Sequence, residues 1–163
     1  MRKTKKMCYI AVLTALYVVV GAFLKFPLGL GNIQIDLGYI VYAVALCMFG
    51  IAGTFVGTVG CAIESILFSA YGFSIGWVVA NLVIGIGCGI VFGKSESFVV
   101  RSLAIVAFTA LGMLVAKTAI ECALYSIPVA VKLPKSVAAF VADSVTMICG
   151  LALYPNAPQS PCL

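Results

Sequence analysis

The sequence predicts an all-α integral membrane protein with six transmembrane helices and both termini in the cytoplasm. Three observations predict it. Of the 163 residues, 64% are hydrophobic, and they gather in apolar runs near the twenty residues that a helix rising about 1.5 Å per residue needs to cross a hydrocarbon core of about 30 Å. Glycine, proline and short polar stretches divide these runs at regular intervals. The basic residues crowd to one side of the resulting topology, as cytoplasmic loops of membrane proteins do.

The first helix is expected over residues 7–24, after the basic start Met1-Arg-Lys-Thr-Lys-Lys6. Its apolar stretch is longer than a signal-peptide core, and residues 23–26 offer no small-x-small cleavage site, so the helix is read as retained. Residues 25–36 form a loop carrying Asn32, Gln34 and Asp36, long enough to lie over one end of the bundle as a lid. Helices two and three, residues 37–49 and 51–70, meet in a tight reversal at Gly50 and Gly53. Tyr71-Gly-Phe-Ser74 separates the third from the fourth, residues 75–92, and Lys94-Ser-Glu-Ser97 is a polar turn. The fifth, residues 98–127, stops at Pro128, and Lys132-Leu-Pro-Lys135 precedes the sixth, residues 136–154. Residues 1–154 thus make one membrane domain, and the Pro-rich tail 155–163 is expected to be disordered. Arg2, Lys3, Lys5, Lys6, Lys94 and Arg101 fall on the side of the termini, against Lys25, Lys132 and Lys135 on the other. That bias places the termini inside the cell.

Composition excludes several function classes. Ten basic residues against five acidic ones do not mark a nucleic-acid binder, because four of the ten lie within the first six residues and no basic stripe follows. Seven cysteines form no CxxC pair and histidine is absent, which removes zinc sites, a disulfide framework and His-based nucleophilic catalysis. No P-loop or dinucleotide fingerprint occurs, so no metal or cofactor is expected.

Four ionisable side chains lie deep inside apolar runs: Glu64, Lys117, Glu121 and Asp143. Such groups are costly in hydrocarbon unless they are paired or face a polar cavity. In the expected topology they fall, with Asn81, in the outer half of four different helices. Gly53, Gly57, Gly60 and Glu64 share one helical face, and Trp77, Asn81, Gly85, Gly89 and Gly93 share another. The glycines suit close helix packing, and each row delivers a polar residue to its outer end. Lys117, Glu121 and Tyr125 follow at i, i+4 and i+8, which allows an intrahelical Lys–Glu pair, contacts to an anionic ligand group, or both. Asp143 lies on a face with Ala139, Thr146 and Gly150. Trp77, Tyr71 and Tyr125 suit either an interfacial belt or stacking on a flat heterocycle. Ala11 and Ala15 make a small-residue step in the first helix.

This combination resembles the substrate-binding S components of energy-coupling-factor (ECF) vitamin transporters. The resemblance rests on the basic N-terminus, Ala11-x-x-x-Ala15, Ile35-Asp-Leu-Gly-Tyr39, and the Gly-rich 49–57 reversal running into Glu64. Gly76-Trp77 with Asn81 and the 132–135 punctuation complete it. The resemblance implies a non-catalytic membrane subunit in the plasma membrane that captures a vitamin-like small molecule from outside. It also implies partners, namely an ECF coupling protein and two ATPase subunits, with Ala11 and Ala15 docking on the coupling protein. The substrate-binding residues are then expected among Asn32, Glu64, Trp77, Asn81, Lys117, Glu121, Tyr125 and Asp143. Two other classes stay open from the residues alone: a membrane scaffold without a small-molecule ligand, and an intramembrane enzyme using Asp143 and Glu64.

Overall fold

The computed structural model describes residues 3–27, 34–68, 73–126 and 128–154. Asn32, Tyr71, the last residues expected in the third helix and the 155–163 tail lie outside the described residues. The chain is an all-α membrane protein. Its helices are α1 (Lys3–Phe23), α2 (Gly38–Phe49), α3 (Thr54–Phe68), α4 (Ile75–Phe92), α5 (Phe98–Tyr125) and α6 (Val129–Leu153). Among the described residues five stretches are long and apolar enough to cross a membrane, with Gly38–Phe68 counted as one.

That stretch doubles back on itself. Gly50 caps α2 at φ +54°, a backbone conformation that side-chain-bearing residues rarely adopt and glycine reaches without a Cβ clash. A 3₁₀ turn, Gly50–Gly53, then feeds α3. Antiparallel packing follows, because a side chain at Gly53 would strike the Ala45 carbonyl and one at Gly57 the Tyr42 ring. The Gly row expected on α3 is therefore a close-packing face, and it continues with Gly60 against the Tyr17 ring. Tyr17, Tyr39 and Tyr42 stand with ring centroids 6.3 Å apart in each pair, tying α1 to α2.

Four departures from the sequence expectation have clear causes. The 25–36 loop begins and ends in strands, β1 (Lys25–Pro27) and β2 (Gln34–Asp36), paired antiparallel with Lys25 opposite Asp36 and Phe26 opposite Ile35. Opposite charges and apolar pairs across strands favour such a hairpin. The last helix starts at Val129 rather than 136, and Pro134 lies inside it. A proline in the second turn forfeits one backbone bond, and the gain is that Lys132 becomes helical and reaches Glu121. The fifth helix ends two residues early, because Ser126 adopts φ 53°, a left-handed stop. Arg101, counted as a topology charge, is 1% exposed. Its Nε donates to the Ser95 carbonyl at 2.7 Å and its guanidinium lies 5.4 Å from the Phe92 ring centroid, so it fastens the α4–α5 turn.

Candidate functional site

The polar residues gather at the end of the bundle that carries the β-hairpin. Lys117 is 5% exposed, and its ammonium lies 3.3 Å from the centroid of the Trp77 ring. A cation over an indole is attracted by the ring's quadrupole, more strongly where water is excluded. The intrahelical Lys117–Glu121 pair allowed by the spacing is not what forms. Glu121 instead pairs with Lys132 of α6 at 2.6 Å and accepts a 3.4 Å bond from Ser74 Oγ at the start of α4. Lys117 keeps Glu121 and Asp143 as electrostatic neighbours.

A wide turn sets this geometry. Leu111–Lys117 within α5 is π-helical, bonding one residue further along than an α-helix does. Thr118 Oγ1 locks its end, 3.1 Å from the Met113 carbonyl and 2.8 Å from Ser136 Oγ. Nothing in the 3.6-residue periodicity announces such a turn, which advances Lys117 around the helix towards α4.

Asn81 is fully buried. Its Nδ2 donates to the Trp77 carbonyl at 3.1 Å, while its own carbonyl accepts the Tyr42 hydroxyl at 2.6 Å. That leaves Asn81 Oδ1 without a partner, and Tyr39 Oη and Asp143 Oδ2 are in the same condition. All three side chains are at most 2% exposed. Buried polar atoms are nearly always satisfied, and the hydroxyls of Thr54, Thr58, Ser102 and Ser144 are in the same condition. Tyr39 has Asn81 and Asp143 as electrostatic neighbours. Sequence reasoning missed Tyr39, whose signal was an aromatic hydroxyl directly after the Ile35-Asp-Leu-Gly38 stretch. Lys25 was read as a topology charge, and Lys132 as a topology charge and part of the boundary before the last helix.

Glu64 is 7% exposed and pairs with Lys25 of β1. Asp36, opposite Lys25 in the hairpin, accepts the Gly38 N–H at 2.7 Å. Burial and the Glu64 charge push the Asp36 carboxyl up from its ordinary 3.8 to about 6, against the opposing pull of Gly38 N–H and Lys25. The folded state therefore holds this proton more tightly than the unfolded chain. The associated stability is complete below 3.8 and is lost as pH rises to about 6. In a melting series across that window, the wild-type midpoint should fall relative to Asp36→Asn and run parallel to it above about 7. A constant difference throughout would show that Asp36 titrates normally.

Tyr125 stands apart, 57% exposed at the last turn of α5. Ala11 and Ala15 are exposed on α1. Among the described residues no group of His, Cys, Asp and Glu can hold a metal ion.

A family model described as the S component of the ECF-type riboflavin transporter matches residues 1–156. The chain belongs to this family. It is a substrate-binding S component of an ECF transporter, a multi-pass plasma-membrane transport protein and not an enzyme. Two solved S-component structures share its fold. One is the S-component for biotin from an ECF-type ABC transporter, with TM-score 0.68 and 17% identity, covering 94% of this chain and 90% of that one. The other, FolT bound with folic acid, gives TM-score 0.71 and 18% identity over 94% of this chain and 95% of that one. At such identities the likeness is one of fold. No curated protein sequence matches the S component.

Proposed function

We propose that this S component captures riboflavin from outside the cell in the seam between α2, α4, α5 and α6. The observation that carries the reading is the trio of orphaned atoms, Tyr39 Oη, Asn81 Oδ1 and Asp143 Oδ2, beside the Trp77–Lys117 pair. A flavin offers a flat ring for Trp77, an imide N–H for the acceptors Asn81 and Asp143, and two carbonyls for the Lys117 ammonium and Tyr39 hydroxyl. Its hydroxylated side chain suits Glu64 and Glu121, with Tyr125 at the rim. Family membership supports the same substrate.

Titration of the purified protein tests this directly. Riboflavin should bind saturably at one site, with folate and biotin as comparators. Saturable binding of either comparator with none of riboflavin would overturn the assignment. Contact with Trp77 should also quench the flavin emission, and Trp77→Leu should restore most of it. Full emission from flavin whose binding is established by calorimetry would remove Trp77 from the site.

The same reading makes α2 and α3 separate crossings, six in all, in one domain over residues 1–154. The termini then lie in the cytoplasm. At 12 residues α2 extends only about 18 Å, so it needs the 3₁₀ turn or a thinned bilayer to complete its passage. For uptake, Ala11 and Ala15 dock on an ECF coupling protein bound to two ATPase subunits. Their exposure and small size on one face suit close approach of another membrane helix. Ala11→Leu/Ala15→Leu should leave riboflavin affinity unchanged while uptake and co-purification with the coupling protein fall. Unimpaired uptake would return this face to ordinary lipid-exposed surface.

A further inference from the structure

The wide turn of α5 ends on a hydroxyl pair that riboflavin capture, as described above, leaves without a role. Thr118 directly follows Lys117, and its Oγ1 donates to the Met113 carbonyl, inside the turn, at 3.1 Å. Ser136 Oγ of α6 lies 2.8 Å away, so the Thr118 oxygen can accept from it while giving its own single proton to Met113. Thr118, Ser136 and Met113 are all buried. Ser136 lies about two turns before Asp143 on the same face of α6. Near the start of the turn, Gly112 packs on α4, where a side chain would lie 2.9 Å from the carbonyl oxygen of Ala80, the residue before Asn81. The turn is thus held against α4 at one end and against α6 at the other.

We propose that in riboflavin capture, the function on which this role rests, Thr118 and Ser136 are positioning residues. Their hydroxyl bond fixes where the wide turn sits and so holds the Lys117 ammonium against Trp77, ready for the ligand. The extra residue of a wide turn cannot leave the chain, so a turn that loses its support can only shift along the helix. A shift past Thr118 would rotate Lys117 by about 100° relative to α4. That rotation would carry the ammonium, now 3.3 Å from the indole centroid, off the ring. The Thr118 hydroxyl opposes the shift twice. It gives the Met113 carbonyl a donor across the turn, and it ties the residue after Lys117 to α6. In this role neither hydroxyl touches riboflavin; both act through Lys117.

Thr118→Val/Ser136→Ala removes both partners at nearly constant shape, which spares the fold the cost of one hydroxyl left unpaired. Calorimetry on the full chain in detergent should show riboflavin affinity about 10-fold weaker, the low end of the loss expected from removing the Lys117 ammonium. The same two substitutions added to Lys117→Ala should weaken affinity no further, because the positioned group is gone. Trp77 is the one tryptophan of the chain, so its emission without ligand reads the presence of the ammonium directly. In Thr118→Val/Ser136→Ala that emission should move towards the Lys117→Ala value. Thr118→Ser, which keeps the hydroxyl, should retain wild-type emission and affinity. Should the double variant fold poorly, Ser136→Ala alone should show smaller changes of the same sign. Wild-type affinity in a folded double variant, an equal loss in the Lys117→Ala background, or unchanged Trp77 emission would overturn the positioning role. A wild type that bound no riboflavin would overturn the substrate instead, and the ligand-free emission would still decide whether the hydroxyl pair holds Lys117.

Discussion

Gly53→Ala is expected to destabilise the folded protein more than any other single methyl addition at the α2–α3 turn. The new carbon would lie 2.5 Å from the Ala45 carbonyl oxygen and 2.8 Å from the Leu46 nitrogen, both backbone atoms of α2. A side chain there could rotate away; a helix backbone cannot, so the two helices must part. Overpacking costs about 1–3 kcal/mol and occasionally more, and an obstruction by backbone belongs at the upper end. Gly93→Ala is the matched control, because nothing there comes nearer than 3.3 Å. Thermal midpoints and folded yields of the two variants, measured side by side, decide it. Equal behaviour would mean that α2 and α3 are not held this closely.

Asp143→Ala and Lys117→Ala should each weaken riboflavin binding by about 10- to 150-fold, the loss of one charge-assisted hydrogen bond of about 1.5–3 kcal/mol. Their effects on folding should differ. Asp143 Oδ2 has no hydrogen-bond partner, so removing this carboxylate relieves a desolvation cost and the thermal midpoint should hold or rise. Lys117 gives up its place on Trp77, and its midpoint should drop modestly. If Asp143→Ala instead collapsed folded yield while the surviving protein bound riboflavin normally, Asp143 would be a structural partner of Lys117 and not a ligand group.

Much of this arrangement was legible in the sequence because membrane burial makes polar residues conspicuous. Glu64, Asn81, Lys117, Glu121 and Asp143 are all buried in the structure, gathered at one end as their depths along the helices required. The reversal at Gly50 was readable from its glycines. What escaped was pairing between elements. Lys132 reaches Glu121 only because the last helix begins early, through a proline that normally marks a boundary. Lys25 reaches Glu64 only because a loop folds as a hairpin. Tyr39 was camouflaged, since a tyrosine in an apolar helix is ordinary until the position of its hydroxyl is known.

The wide turn at Leu111–Lys117 carries a consequence for comparing chains in this family. It accommodates one residue more than an α-helix of the same length, without interrupting the hydrophobic run. A relative built with a regular helix here should align with a single-residue gap inside this segment. Placing that gap anywhere later would match the Lys117 ammonium to a neighbour turned about 100° away. Counting residues forward from Phe98 would then name the wrong position as the one that faces the indole.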